Sequence, residues 1–127
     1  MSAQPILKLQ GTKVCVFCQA CGAEIEDNGH IWIDQSDVSR VEEAWDAKRN
    51  KTTWSPAELA RMPSQVGWQA HHFSCDPKPD AYAYEILAER INTAAKLVHW
   101  TAHLMGKSWI EATDWANVLR SASDVNP

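Results

Sequence analysis

The sequence lacks any long apolar run, and none approaches the roughly 18–20 residues that a membrane-spanning helix needs. Its first five residues also lack the charged region and apolar stretch of a secretory signal. Positive charge is scarce, because 16 acidic residues outnumber 12 basic ones and the net charge is −4. We therefore expect a cytoplasmic protein that neither enters a membrane nor coats nucleic acid nonspecifically.

Motifs of familiar enzyme classes are missing as well. The chain has no G-x-S-x-G nucleophile elbow and no glycine-rich phosphate loop. It also lacks the His-x-Glu motif of zinc deaminases. The adjacent His71 and His72 fit an HNH-like nuclease in part, yet no asparagine and further histidine stand at suitable positions. The sequence therefore predicts a protein without catalytic activity.

A split cysteine–histidine pattern is the most informative feature that is present. Cys18 and Cys21 stand in a C-x2-C-G motif, and His72 and Cys75 stand in an H-x2-C motif. Two thiolates from a tight turn and two further ligands three residues apart fill the four tetrahedral positions of zinc. A filled set leaves no open position for a substrate, so we expect a structural Zn²⁺ ion that stabilises the fold.

Two other residues near these ligands are alternative candidates for the ligand set. The first is His71, an alternative to His72 with wider spacing to Cys75. The second is Cys15, because the four cysteines of the chain together could instead hold an iron–sulfur cluster. Cys15 lies in an apolar run, where it can also be a plain buried thiol.

The pattern of apolar residues predicts an α+β fold whose C-terminal half is mostly helical. The first cysteine pair is expected at the tip of a β-hairpin within 14–25, and a β-rich run follows at 30–34. An extended segment at 65–71 leads to the second metal half. Ser108 begins a capping box for the last helix. We expect four helices, at about 37–49, 55–62, 80–105 and 108–121.

The chain is expected to form one domain. Its 127 residues suffice for a hydrophobic core, and 45% of them are apolar. Residues 1–13 are predicted to be a flexible tail, residues 14–121 the zinc-binding domain, and residues 122–127 a frayed C-terminus.

Seven tryptophans are a high count for this length. Four of them stand at core-facing positions and are predicted to pack inside the domain: Trp32, Trp45, Trp68 and Trp100. Trp54, Trp109 and Trp115 lie at or near helix starts and are candidates for contacting a partner protein, because Trp is enriched at binding hot spots. The alternative for these three is a second small core under the last helix.

Two helices carry features that allow other interactions. A basic cluster lies at the end of the first predicted helix and consists of Lys48, Arg49 and Lys51. These side chains could contact phosphates, or they could simply be solvated at the helix end. The apolar stripe of the predicted helix at 80–105 could pair with a second copy of the chain, although its width favours packing inside one domain. His99 and His103 lie on the polar face of that helix and are interpreted as solvated side chains.

The metal halves, residues 14–25 and 68–76, resemble those of treble-clef, zinc-ribbon and LIM-type modules. The 50 residues between Cys21 and His72 exceed the spacing of those modules, so their functions are not implied. The features of the chain also follow a particular order: the first half of the zinc site, a Trp-bearing helix, the motif W-x2-H-H-x2-C, a long helix and a terminal Trp-bearing helix. This order is similar to that of small uncharacterised zinc-binding proteins of actinobacteria and their phages. This resemblance implies an accessory role in a phage or mobile element, such as modulation of a host protein.

The sequence as a whole predicts a non-enzymatic zinc-binding domain that acts through protein–protein interaction. The second hypothesis is a small regulator that binds nucleic acid sequence-specifically, and it requires a basic face that includes Lys48, Arg49 and Lys51. The third is an HNH-like nuclease that uses His71 or His72.

Overall fold

Two small antiparallel sheets form the centre of the molecule. The structure is a computed structural model that describes residues 5–49, 53, 55–57, 64–77 and 82–123. The first sheet has the order β1-β2-β3, with β1 at Leu7–Gln10, β2 at Lys13–Phe17 and β3 at Glu24–Ile25. The second sheet has the order β5-β4-β6, with β4 at Gly29–Asp34, β5 at Gln69–His72 and β6 at Ala83–Leu87. The predicted α+β class is confirmed.

Three α-helices surround these sheets within the described ranges: α1 at Gln35–Arg49, α2 at Ala94–Met105 and α3 at Trp115–Ser123. Three short 3₁₀ turns lie at Phe73–Cys75, Ala88–Arg90 and Ile110–Ala112. The first turn of α2 is capped by Thr93, whose hydroxyl oxygen accepts a hydrogen bond from the Lys96 N–H at 3.2 Å. No described helix has the length and apolar character to cross a membrane.

Strand β1 shows that the predicted flexible tail over residues 1–13 is wrong from Leu7 onward. Leu7 is fully buried, and the whole strand pairs with β2. Gly11 turns the chain between the two strands with φ of 63°, a conformation that favours glycine. The alternation of Leu7 and Leu9 with polar residues is the strand signal that the prediction overlooked.

The predicted helix over 80–105 is wrong in its first half. Ala83–Leu87 form β6, which pairs with the central strand β4, and α2 begins only at Ala94. The apolar residues of this segment fit a helical stripe, but the backbone groups on one edge of β4 need partners and β6 provides them. Within the described residues the protein therefore has three α-helices rather than four, and its C-terminal half is not mostly helical.

The ends of two other predicted helices also differ. Ser108 does not begin the last helix, because a 3₁₀ turn follows it and α3 starts at Trp115. α3 continues to Ser123 with Ala122 buried, so the predicted frayed end starts too early, and residues 124–127 lie outside the described chain. Residues 58–62 of the predicted short helix at 55–62 lie outside it as well.

An aromatic cluster extends the core beneath α3. It consists of Trp68, Tyr84, Trp109 and Trp115, and the rings of Trp68 and Trp115 meet edge to face with centroids 5.2 Å apart. Trp115 is only 3% exposed, and Trp109 is half-buried against Tyr84. This arrangement matches the second core that was the alternative for these tryptophans. Trp54 lies outside the described residues.

Two threonines that accept hydrogen bonds from tryptophan give a test of this cluster. Thr113 is buried and its Oγ1 accepts from Trp68 Nε1 at 3.1 Å, whereas the half-buried Thr101 accepts from Trp115 Nε1 at 3.2 Å. Thr113→Val should lower the free energy of unfolding by about 1–3 kcal/mol, because the Trp68 indole N–H then stays buried without an acceptor. The control Thr101→Val should cost about 1 kcal/mol or less, since water can reach the site. Urea unfolding of both variants measures this, and equal losses would contradict it.

Asp114 makes stability depend on pH. Burial raises the pKa of its carboxyl, although a hydrogen bond from the Trp68 N–H at 2.9 Å opposes this. The folded state therefore binds the proton more tightly than the unfolded state, and Asp114 reduces stability as pH rises through and above about 4.

Asp114→Asn keeps the oxygen that accepts from Trp68 but cannot ionise. The free energy of unfolding of this variant minus that of the wild type should grow between about pH 4 and pH 7. Both proteins carry the same cysteine–histidine cluster, so the titration of that cluster cancels in the difference. Urea unfolding at several pH values measures this difference in the free energy of unfolding. A difference that stays constant or shrinks would show that burial does not raise the pKa of Asp114.

Candidate metal centre

Four side chains from distant parts of the sequence meet where the two sheets adjoin. They are Cys18, Cys21, His72 and Cys75, and their ligand atoms all lie within 4.8 Å of one another. A tetrahedral site with bonds of 2.0–2.3 Å has edges of about 3.3–3.8 Å, so a small contraction suffices to close this set around an ion. In the described parts of the chain, no other group of three or more His, Cys, Asp or Glu side chains meets this distance.

The first half of the centre is a tight turn between β2 and β3. The Cys18 N–H donates to the Ala23 carbonyl at 3.0 Å, and the Gly22 N–H donates to the Cys18 carbonyl at 2.8 Å. Gly22 has φ of 78°, which a side chain would strain. The prediction that the first cysteine pair lies at a hairpin tip is thereby confirmed.

Backbone hydrogen bonds prepare one sulfur for a metal. Burial raises the pKa of the Cys18 thiol, but N–H groups of Cys21, His72 and Ala20 together outweigh burial and lower the pKa to about 6. Burial raises the pKa of the Cys75 thiol, and its hydrogen bond to Cys18 raises it further. Binding of a metal would favour the thiolate form of both sulfurs and displace their protons.

The second half of the centre lies where β5 passes into a 3₁₀ turn. His72 ends the strand, and its Nε2 donates to the Glu24 carbonyl at 3.1 Å. That bond leaves the lone pair of Nδ1 free to face the cluster, where Nδ1 lies 3.3 Å from Cys21 Sγ. The Phe73–Cys75 turn then returns the Cys75 thiol to the same point.

The alternative ligands point elsewhere. Neighbouring residues of a strand face opposite sides, and His71 is buried with its Nδ1 accepting from Trp32 Nε1 at 3.1 Å. Burial also lowers the pKa of His71, which favours the neutral ring. Cys15 lies outside the cluster, with its Sγ 3.6 Å from Gln10 Oε1. The four-cysteine set that an iron–sulfur cluster requires is therefore not assembled.

Gln19 strengthens the same junction between the sheets. Its backbone N–H donates to the Ala70 carbonyl at 2.9 Å, and its side-chain Oε1 accepts from the Ala70 N–H at 3.1 Å. The residue belongs to the turn of the first sheet, and Ala70 belongs to β5 of the second. Sequence analysis did not single out Gln19, because nothing in its local pattern shows which strand it will meet.

His30 is a second residue that sequence analysis missed. It lies on β4, it is 7% exposed, and each ring nitrogen meets a carboxylate. Nε2 lies 2.9 Å from Asp76 Oδ2, and Nδ1 lies 2.5 Å from Glu85 Oε2. These partners are 46 and 55 residues away in sequence, so no spacing motif could have indicated them.

The other candidates from the sequence do not gather at a site. Lys48 is exposed on α1, whereas the Arg49 side chain and Lys51 lie outside the described residues. His99 and His103 are exposed on α2, in agreement with their interpretation as solvated side chains.

Comparison with known proteins adds no assignment. No family model, curated protein or solved structure matches this chain. The resemblance to small zinc-binding proteins of actinobacteria and their phages stays a prediction.

Two cysteines of the chain provide a matched test of the ligand set. Cys21→Ser should reduce bound zinc from about one ion per chain to near zero and destabilise the domain, because a ligand is lost. Cys15→Ser should retain the metal, because Cys15 lies outside the cluster. Metal content after gel filtration, with thermal unfolding, measures both effects. A folded, zinc-loaded Cys21→Ser protein, or loss of metal in Cys15→Ser, would show that the ligands are assigned wrongly.

Proposed function

We propose that this chain is a non-enzymatic domain that is stabilised by zinc and acts by binding another protein. The observation that carries the proposal is the closed set of three thiolates and one imidazole that joins the two sheets. These donors are typical of structural zinc, and they leave no coordination position for a substrate or a reactive water. Bound zinc would supply folding energy by tying the hairpin of Cys18 and Cys21 to the segment of His72 and Cys75.

The outer face of α2 is the surface that best fits a protein partner. We define this outer face as Ala95, Val98, Ala102 and Met105, four exposed residues spaced by three, four and three positions. Val98 is 69% exposed and Met105 is 72% exposed, while Leu97 and Leu104 are buried on the opposite side. The spacing is that of a seam between paired helices, and an exposed apolar row of this kind is a candidate interaction surface.

Charge selects the kind of partner. α2 carries Lys96, His99 and His103, and it contains no acidic residue. Helix α2 of a second copy would offer no acidic side chain to Lys96, so charge does not favour self-pairing. A helix of another protein, with an apolar seam flanked by Asp or Glu, complements this surface. A host protein would be such a partner if the implied phage or mobile-element role is correct.

Capture experiments with two variants test this proposal. The tagged wild-type chain should retain one stoichiometric protein from an extract of its source cells, and nuclease treatment should not remove it. Val98→Glu should abolish capture, because it places a charge in the apolar seam. The helix itself should remain intact, because glutamate favours a helix at least as much as valine does. Tyr82→Glu is the matched control, since Tyr82 is 74% exposed but lies outside α2, and it should retain the partner.

Three outcomes would count against the proposal. Equal capture by Val98→Glu and the wild type would remove the outer face of α2 as the binding surface. Loss in Tyr82→Glu alone would move the surface elsewhere. Recovery of nucleic acid, or of proteins released by nuclease, would favour the alternative of a nucleic-acid-binding regulator.

A further inference from the structure

His30 occupies a central position between three segments of the second sheet. It lies on β4, where it is paired with His71 of β5 on one side and with Leu87 of β6 on the other. Its side chain is 9% exposed, and Asp76, whose Oδ2 lies 2.9 Å from Nε2, is 6% exposed. Glu85, whose Oε2 lies 2.5 Å from Nδ1, is on β6 with its side chain 54% exposed.

The chemistry of this contact fixes the role of the ring. One carboxyl oxygen lies within hydrogen-bond distance of each ring nitrogen, Asp76 Oδ2 at 2.9 Å and Glu85 Oε2 at 2.5 Å, so the ring bridges the two acidic side chains. The low exposure of His30 and Asp76 limits competition from water, which strengthens the hydrogen bond between them. The ring therefore links β6 firmly to the residue that directly follows Cys75.

Among the four clustered ligands, Cys75 is the one that this link would affect. Cys18 and Cys21 are held by hydrogen bonds within their own turn, and His72 is held by strand pairing and by the Glu24 carbonyl. Cys75 lies beyond the end of β5 in a 3₁₀ turn that has no side-chain cap. The carboxylate of Asp76 is the adjacent anchor, and it is fixed by His30.

We propose that Asp76, His30 and Glu85 form a positioning relay that holds the Cys75 thiolate on the metal. The inference rests on the proposed zinc site, and it adds that these three residues limit the rate at which the ion dissociates. Glu85, half-exposed on a different strand, thereby influences a ligand that it does not touch. Partners behind metal ligands commonly change metal affinity by about 10–100-fold, so an effect of this order is expected.

Replacing zinc with cobalt gives an absorption spectrum that reports on the metal ligands themselves. This spectrum would not change if the three residues only stabilised the fold. The wild-type chain loaded with Co²⁺ should show a tetrahedral spectrum with thiolate charge-transfer bands from three cysteines. Asp76→Asn and Glu85→Gln should weaken those bands and speed transfer of the ion to a chelator by about 10-fold. Glu43→Gln, which removes the same charge from an exposed position on α1, should match the wild type.

The possible outcomes separate the two proposals. Weakened bands and faster release in both relay variants, with Glu43→Gln unchanged, would support the relay. Wild-type bands and rates in both variants would overturn it, and an effect in Asp76→Asn alone would overturn the part of Glu85. A wild-type chain that shows no tetrahedral cobalt spectrum would overturn the proposed zinc site itself, and that result is visible before any variant is compared.

Discussion

The junction between the two sheets is the constraint on which the rest of the structure depends. Each sheet has only three strands, and β3 is two residues long, so neither has much stability of its own. At their junction, Gln19 binds the backbone of Ala70 and the four candidate ligands converge. Three sulfurs at such short range repel one another as thiolates, so an ion that neutralises them would convert a weak point into the strongest link between the sheets.

Local spacing explains what the sequence could predict. The C-x2-C-G and H-x2-C motifs, the hairpin tip and α1 depend on residues a few positions apart, and the structure contains each of them. The choice between His71 and His72 was different, because it depends on which face of β5 meets the first sheet. That face is set by the pairing of β5 with β4, which the spacing of the histidines to Cys75 does not reveal.

Longer-range pairing explains what the sequence could not predict. The residues of β6 fit a helical stripe until the open edge of β4 is known, and the pairing of that edge outweighs their helical pattern. The contacts of His30 with Asp76 and Glu85 likewise exist only because β4, β6 and the segment after Cys75 meet in one place. Buried polar side chains of this kind carry no periodic signal, since their meaning depends on the partner that folding brings.

The candidate metal centre and the outer face of α2 lie at opposite ends of one strand. β2 leads into Cys18 at its C-terminal end, while near its N-terminal end the Val14 N–H donates to the Asn92 carbonyl at 3.0 Å. The Ala94 N–H at the start of α2 donates to the Thr12 carbonyl at 2.8 Å, so the helix is anchored to the same hairpin. An ion that holds the end of β2 against the second sheet would therefore also fix the position of α2 relative to that sheet. The proposed metal and the proposed binding surface would thus be connected through the β1–β2 hairpin, although none of the four ligands lies on α2.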